Sequence, residues 1–236
     1  IFSLFSCNDI NTKDLPDGAN VGTVKDIDGN IYRTIKIGTQ TWMVENLSTT
    51  RFRNGDKIET TIPLTKDISK EISPKYQWSY NGIESNVKIY GRLYTGFVVT
   101  DSRGIAPKGW HVPTEAEWEI LLEYAKNNIG NSVYPARALS SKQYWDENAE
   151  TFYPFFSNNN YLGMSVIPSG MKSNENDGYG FNYNFYGLGE VAYFWSSSSR
   201  YPNSLVETTL SIDDEEMRIK WYEDLFSGLS IRCIKD

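Results

Sequence analysis

A mixed α+β fold, built mostly of short antiparallel strands with one or two helices and long loops, is what this sequence predicts. Three observations carry the prediction. Between Val21 and Leu47 apolar and polar residues alternate with period two around glycine-containing turns, the pattern of strands half-buried in a sheet. From Thr114 the period lengthens to that of an amphipathic helix. The composition, with 16 tyrosines and 7 tryptophans beside abundant Asn, Ser and Gly, suits short strands and polar loops that present aromatic side chains. At 236 residues and 39% hydrophobic content, the chain can bury one sizeable core, and a single domain over residues 21–236 is expected.

The elements follow in order. "VKDIDGNIYRTIKIGTQTWMVENL" predicts a short antiparallel meander with turns at Asp28-Gly29 and at Gly38 to Gln40. Asp26, Asp28 and Asn30 lie in the first turn, but an EF-hand calcium loop needs glycine at its sixth position and glutamate at its twelfth, where this chain has Ile31 and Ile37. Residues 54–90 are polar, contain Pro63 and Pro74, and predict an irregular segment packed by Tyr76, Trp78 and Tyr80. "YGRLYTGFVV" returns to an apolar run that reads equally as strand or buried helix.

Thr114 and Glu117 form a capping box, in which the threonine hydroxyl accepts from the third helical amide and the glutamate reaches back to the cap amide. Glu115 and Glu119 sit where the helix dipole favours negative charge, Trp118, Leu121, Leu122 and Ala125 share one face, and Asn127 to Gly130 end the helix. The glutamates are thus explained by helix chemistry. His111, the one histidine, precedes the cap beside Trp110 and is expected to be a satisfied, partly buried side chain. A second short helix is predicted near Ala136 to Ser141. "LGMSVIPSG" and "VAYFWSSSS" read as buried strands separated by a long Gly/Asn/Tyr loop. Leu205 to Ile212, Met217 to Tyr222 and Leu229 to Ile234 read as three antiparallel strands, with Asp213 to Glu216 a solvated turn.

Charge and targeting signals bound the function. A net charge of −7, with no lysine and arginine stripe to reverse it locally, argues against nucleic acid as a partner. Ile1 to Ser6 are uncharged, mostly apolar and too few to span a bilayer, and the chain then turns abruptly polar. This reads as a signal-peptide remnant over residues 1–6; a buried first strand is the alternative. Leu4-Phe5-Ser6-Cys7 resembles the bacterial lipobox, which implies lipidation at Cys7, a flexible tether over residues 7–20 and anchoring at the bacterial outer membrane. Each acyl methylene buried in lipid contributes about 0.8 kcal/mol. Asp9 and Asp14 resemble the acidic tract that follows the cysteine in surface-exported lipoproteins of Bacteroidota-type bacteria. With Cys7 lipidated, Cys233 is left without a disulfide partner, and no cysteine-based zinc or iron–sulfur site can form.

The ordered set Trp42 with Glu45-Asn46-Leu47, Phe52 with Asn54-Gly55, Tyr90-Gly91-Arg92-Leu93-Tyr94, Ala106 to Thr114 with Glu117-Trp118, Ile167-Pro168-Ser169-Gly170, Phe194-Trp195-Ser196-Ser197 and Gly228 to Asp236 resembles the Fibrobacter succinogenes major paralogous domain family. The resemblance covers nearly the whole folded length. It implies a C-type-lectin-like fold, a twisted antiparallel sheet with one or two helices and long loops over one end, in a surface lipoprotein. One departure matters: family members typically carry, where this chain has Ala106, a cysteine that looks like a disulfide partner for the one near the C-terminus, so the resemblance implies that Cys233 is a free, buried thiol. "PTEAEWE" also resembles a stretch of formylglycine-generating enzymes, whose copper-binding cysteine pair this chain lacks once Cys7 is lipidated; the related sulfoxide synthases use a histidine triad that His111 alone cannot supply.

The expected function is therefore non-enzymatic, with no catalytic residues, cofactor or metal: a lipid-anchored surface domain that binds glycan or another cell-envelope protein. Tyrosine and tryptophan rings stack on apolar sugar faces while Asn and Asp orient hydrogen bonds. The candidate ligand-binding residues are Asn174, Asn176, Asp177, Tyr179, Tyr183, Tyr186, Tyr201, Trp221 and Tyr222. A structural or adhesin accessory subunit that binds an envelope protein is the alternative, and an enzyme is the third class.

Overall fold

The computed structural model describes residues 15–16, 18–130, 134–146, 159–174, 185–211, 217–222 and 224–236. Cys7, the expected tether up to Asp14, and the Asp213 to Glu216 turn lie outside the described residues.

The alternation from Val21 folds into β1 (Val21–Lys25), β2 (Ile31–Ile37) and β3 (Gln40–Met43), an antiparallel meander. Its first turn is closed by Asp26, whose carboxylate accepts from the backbone and side-chain nitrogens of Asn30 at 2.9 and 2.8 Å. Asp28 instead accepts from the amide and hydroxyl of Thr50, which ties the turn to the following loop. The second turn requires glycine. Gly38 has a φ of 60°, and a Cβ there would lie 2.7 Å from the Tyr124 ring.

Residues 54–90 run irregularly, as expected, and turn their rings inward. Trp78 in β4 (Gln77–Trp78) is buried with its indole donating to Thr61 Oγ1 at 2.8 Å, and one helical turn, α1 (Val87–Tyr90), ends the segment. The ambiguous run that follows is both things read from it: β5 (Leu93–Thr95), then α2 (Gly96–Val99). After β6 (Trp110–His111), the capping box closes with both of its bonds and starts α3 (Glu115–Asn128). Trp118, Leu121 and Ala125 are buried on its inner face, with Leu122 at the margin. The second predicted helix is α4 (Pro135–Leu139), with proline in its first turn.

The remaining strands are β7 (Ser169–Lys172), β8 (Phe185–Leu188), β9 (Val191–Trp195), β10 (Leu205–Ser211), β11 (Arg218–Tyr222), β12 (Gly228–Ser230) and β13 (Ile234–Lys235). They form a five-stranded sheet in the order β1-β2-β3-β13-β6 and an eight-stranded sheet along β11-β10-β9-β7-β12-β5-β4, with β8 on β7. Most pairings are antiparallel; β9 meets β7 and β12 in parallel at single positions.

Two expectations are corrected. "LGMSVIPSG" becomes strand from Ser169 onward, because Gly163 and Ser165 take φ values of 73° and 52° and bend the backbone away from extension. The stretch Leu229 to Ile234 is two strands rather than one. It leaves the larger sheet after Ser230 and joins the smaller one at Ile234, because the intervening carbonyls are taken by other partners: Ile231 O accepts from Leu47 N and Cys233 O from Met43 N. Between them Arg232 is fully buried, with its guanidinium donating to Asn46 Oδ1 at 2.6 Å and Met164 O at 2.6 Å. A buried charge is tolerable only with such bonds.

Two buried clusters fill the fold. One gathers Met43, Leu47, Phe52, Tyr94, Trp195, Leu229 and Cys233. The other centres on Trp118, whose ring lies 4.7 Å from Trp42 of β3 and 5.6 Å from Phe194 of β9. Helix α3 therefore joins the two sheets through one indole.

Candidate functional site

The edge strand β11 carries part of an exposed aromatic surface. It is held to β10 by an antiparallel register that sets Lys220 against Glu207, whose buried carboxylate pairs with Lys220 Nζ at 2.8 Å. The next residue, Trp221, projects from the opposite face of the strand and is 46% exposed. Tyr201, 52% exposed, meets it edge-on with centroids 5.2 Å apart.

The loop between β9 and β10 positions Tyr201. Ser197 N donates to Pro113 O, Ser199 Oγ to Tyr201 O, and Tyr201 N to Ser204 Oγ. The same loop brings Arg200 beside the indole, its guanidinium carbon 5.0 Å from the Trp221 ring centroid. Arg200 is fixed by an ion pair with Glu115, the first residue of α3, whose backbone amide donates to Ser198 Oγ at 2.8 Å. Glu115 thus serves the helix dipole and seats the arginine. Two rings, one guanidinium and one carboxylate form a platform with apolar faces and fixed polar groups at its margin. Arg200 and Glu115 were not among the residues read as binding; the Arg200-Tyr201 pair in a serine-rich turn was the available signal.

The other predicted residues do not converge on this platform. Tyr186 in β8 is 43% exposed and packs edge-on against Tyr193 at 6.2 Å. Burial first, and then the Glu207 and Glu190 charges, push the Tyr193 hydroxyl up to about 12. Tyr222 faces the other way from Trp221: its ring lies 5.8 Å from Trp195, and its hydroxyl donates to Ser227 Oγ at 3.2 Å. Asn174 reaches the same serine through its backbone, its main-chain N–H donating to Ser227 Oγ at 3.1 Å. Ser227 in turn donates to Asp224 Oδ2 at 2.6 Å, so its one proton and both lone pairs are used. Asn174 and Tyr222 are brought together in this knot, which pins β11 to β12. Asn176, Asp177, Tyr179 and Tyr183 lie outside the described residues. Nearby, burial pulls the Lys172 ammonium down to about 8, partly offset by Asp224, and its Nζ sits 4.6 Å from the Trp78 ring centroid.

His111 is engaged at both ring nitrogens, Nδ1 with Asp236 at 2.7 Å and Nε2 with Glu117 at 2.9 Å. Partial burial lowers its pKa, but the bonds to Asp236 and Glu117 outweigh that and raise it above 6.5. Cys233 is buried without a disulfide partner, and burial holds its thiol well above the ordinary range. Among the described residues, no group of three His, Cys, Asp or Glu side chains is placed to hold a metal ion, and no helix is long and apolar enough to cross a membrane.

No curated protein and no solved structure matches the chain. The family model of the Fibrobacter succinogenes major domain matches residues 35–235, which takes in every described strand from β3 to β13, α3 and the platform residues Glu115, Arg200, Tyr201 and Trp221. The chain belongs to the Fibrobacter succinogenes major domain family.

Proposed function

We propose that this chain is the non-enzymatic binding domain of a bacterial surface lipoprotein, with a C-type-lectin-like fold, and that the Trp221–Tyr201–Arg200 platform binds glycan. The observation that carries the reading is the pair of large exposed rings, preset at 5.2 Å beside a guanidinium already fixed by Glu115. Exposed indole and phenol faces take the apolar faces of sugar rings at low cost in side-chain entropy, and the arginine supplies directed donors for hydroxyls.

The non-enzymatic reading rests on the sequence, whose one histidine cannot supply the sulfoxide synthases' triad and which, with Cys7 lipidated, lacks the copper-binding cysteine pair. The C-type-lectin-like reading is supported by the α+β pattern of mostly antiparallel strands with few helices. The surface lipoprotein reading rests on the lipobox-like Leu4 to Cys7.

The test is a broad glycan array probed with Asn8 to Asp236, first with calcium and then with chelator. Saturable hits that Trp221→Ala abolishes are expected. A blank array in both buffers would overturn glycan binding and turn the platform toward a cell-envelope protein.

A further inference from the structure

The five-stranded sheet borders a concavity of about 370 Å³, whose lining shares no residue with the Trp221 platform. That volume falls within the roughly 300–1,000 Å³ range of small-molecule sites. Its wall is built from cross-strand partners, which point to the same face: Lys36 opposite Thr41, Thr34 opposite Gly22, and Lys235 opposite Trp110. Gly22 keeps the floor open, since a Cβ there would lie 2.9 Å from Thr34 Oγ1.

The charge of this groove runs against that of the whole molecule. The chain carries −7, yet the described lining residues include two lysines and no carboxylate. The neighbouring carboxylate, Asp236, is held by His111. The same lining holds Thr23, Thr34 and Thr41, whose side chains carry hydroxyls that match those of a sugar, while Trp110 belongs to the buried core beneath.

We propose that this groove is a binding site for a carboxylate-bearing sugar of the uronic acid class, with Lys36 and Lys235 pairing the carboxylate. The ammonium pair attracts the anion and the threonines distinguish a sugar from a bare ion. The site stands independently of the Trp221 platform.

The experiment titrates the chain with sodium glucuronate, glucose and sodium sulfate in parallel, followed by backbone amide shifts. Glucuronate is expected to move Gly22, Thr34 and Thr41 saturably, and in the Lys36→Gln/Lys235→Gln variant its Kd is expected to rise at least tenfold with Tm unchanged. Both lysines are exposed, so the variant keeps the fold. Glucose is expected to give no saturable shift and sulfate a weaker one. No saturable shift with glucuronate, equal responses to glucuronate and sulfate, or shifts that survive in the double variant would each overturn the proposal. The Trp221→Ala variant separates the two sites, since it leaves this titration unchanged whatever it does to array binding.

Discussion

Tyr201 meets the indole of Trp221 edge-on at 5.2 Å, and the pair is set by chain segments that the sequence keeps apart: a serine-rich turn and the edge strand of the larger sheet. Arg200 leans over the same indole from a helix-terminal glutamate. Since both residues are about half exposed and belong to neither buried cluster, they contribute little to the core and offer ring surface to a ligand. Trp221→Ala is expected to weaken glycan binding at least tenfold, about 1.4 kcal/mol, while stability changes by no more than about 0.5 kcal/mol. Array intensity and thermal melts on the same preparation check both halves. Arg200→Ala is expected to weaken binding less, because it removes hydrogen bonds and leaves both ring faces.

The imidazole of His111, bridged between Asp236 and Glu117, makes stability depend on pH. Its pKa is raised above 6.5 in the folded chain, so the stabilisation is fully present below that value and is lost as pH rises through the folded pKa. Glu117 is held low by the Thr114 and His111 bonds against the opposing effect of burial, so it stays charged in this window. The melting difference between the native chain and His111→Gln should therefore be larger at about pH 5.5 than at about pH 9. Equal differences at the two pH values would contradict the ionic bridge.

Trp118 joins the sheets, whereas Thr114 only starts the helix that carries it. Trp118→Ala empties a site in contact with Trp42 and Phe194 and is expected to cost about 3–5 kcal/mol. Thr114→Ala removes one cap and should cost about 1 kcal/mol. Denaturant unfolding measures both, and comparable losses would contradict the central place given to the indole.

Cys233 is fully buried and its thiol is held protonated by burial. In a Cys7→Ser variant, where it is the remaining cysteine, a thiol reagent should label it only at the rate of unfolding, with acceleration by denaturant. Rapid labelling of the native chain would contradict the packing described for the β12–β13 link.

Much of this fold could be read from local patterns. The meander between Val21 and Met43 rests on a largely alternating pattern and on glycine turns, and α3 on a capping box and a 3.6-residue period; each is decided by near neighbours. The departures arise where distant residues decide. Leu229 to Ile234 looks like one strand locally, but Leu47 and Met43 draw its carbonyls to a second sheet, and Asn46 holds Arg232 between them. The site divides the same way. Aromatic composition singles out Trp221, Tyr201 and Tyr222 alike, while only the strand's pleat shows that Tyr222 faces the other side from Trp221, toward Trp195. Arg200 depends on Glu115, a contact that no short pattern contains.

The most direct measurement is the indole N–H spectrum of the chain, one signal for each of its 7 tryptophans, recorded while the strongest saccharide from the array is added. The Trp221 signal should shift saturably, while those of the buried Trp42, Trp78, Trp118 and Trp195 stay in place. In the Lys36→Gln/Lys235→Gln variant, where the groove of the smaller sheet does not contribute, a saccharide that binds and leaves Trp221 unmoved would contradict the platform.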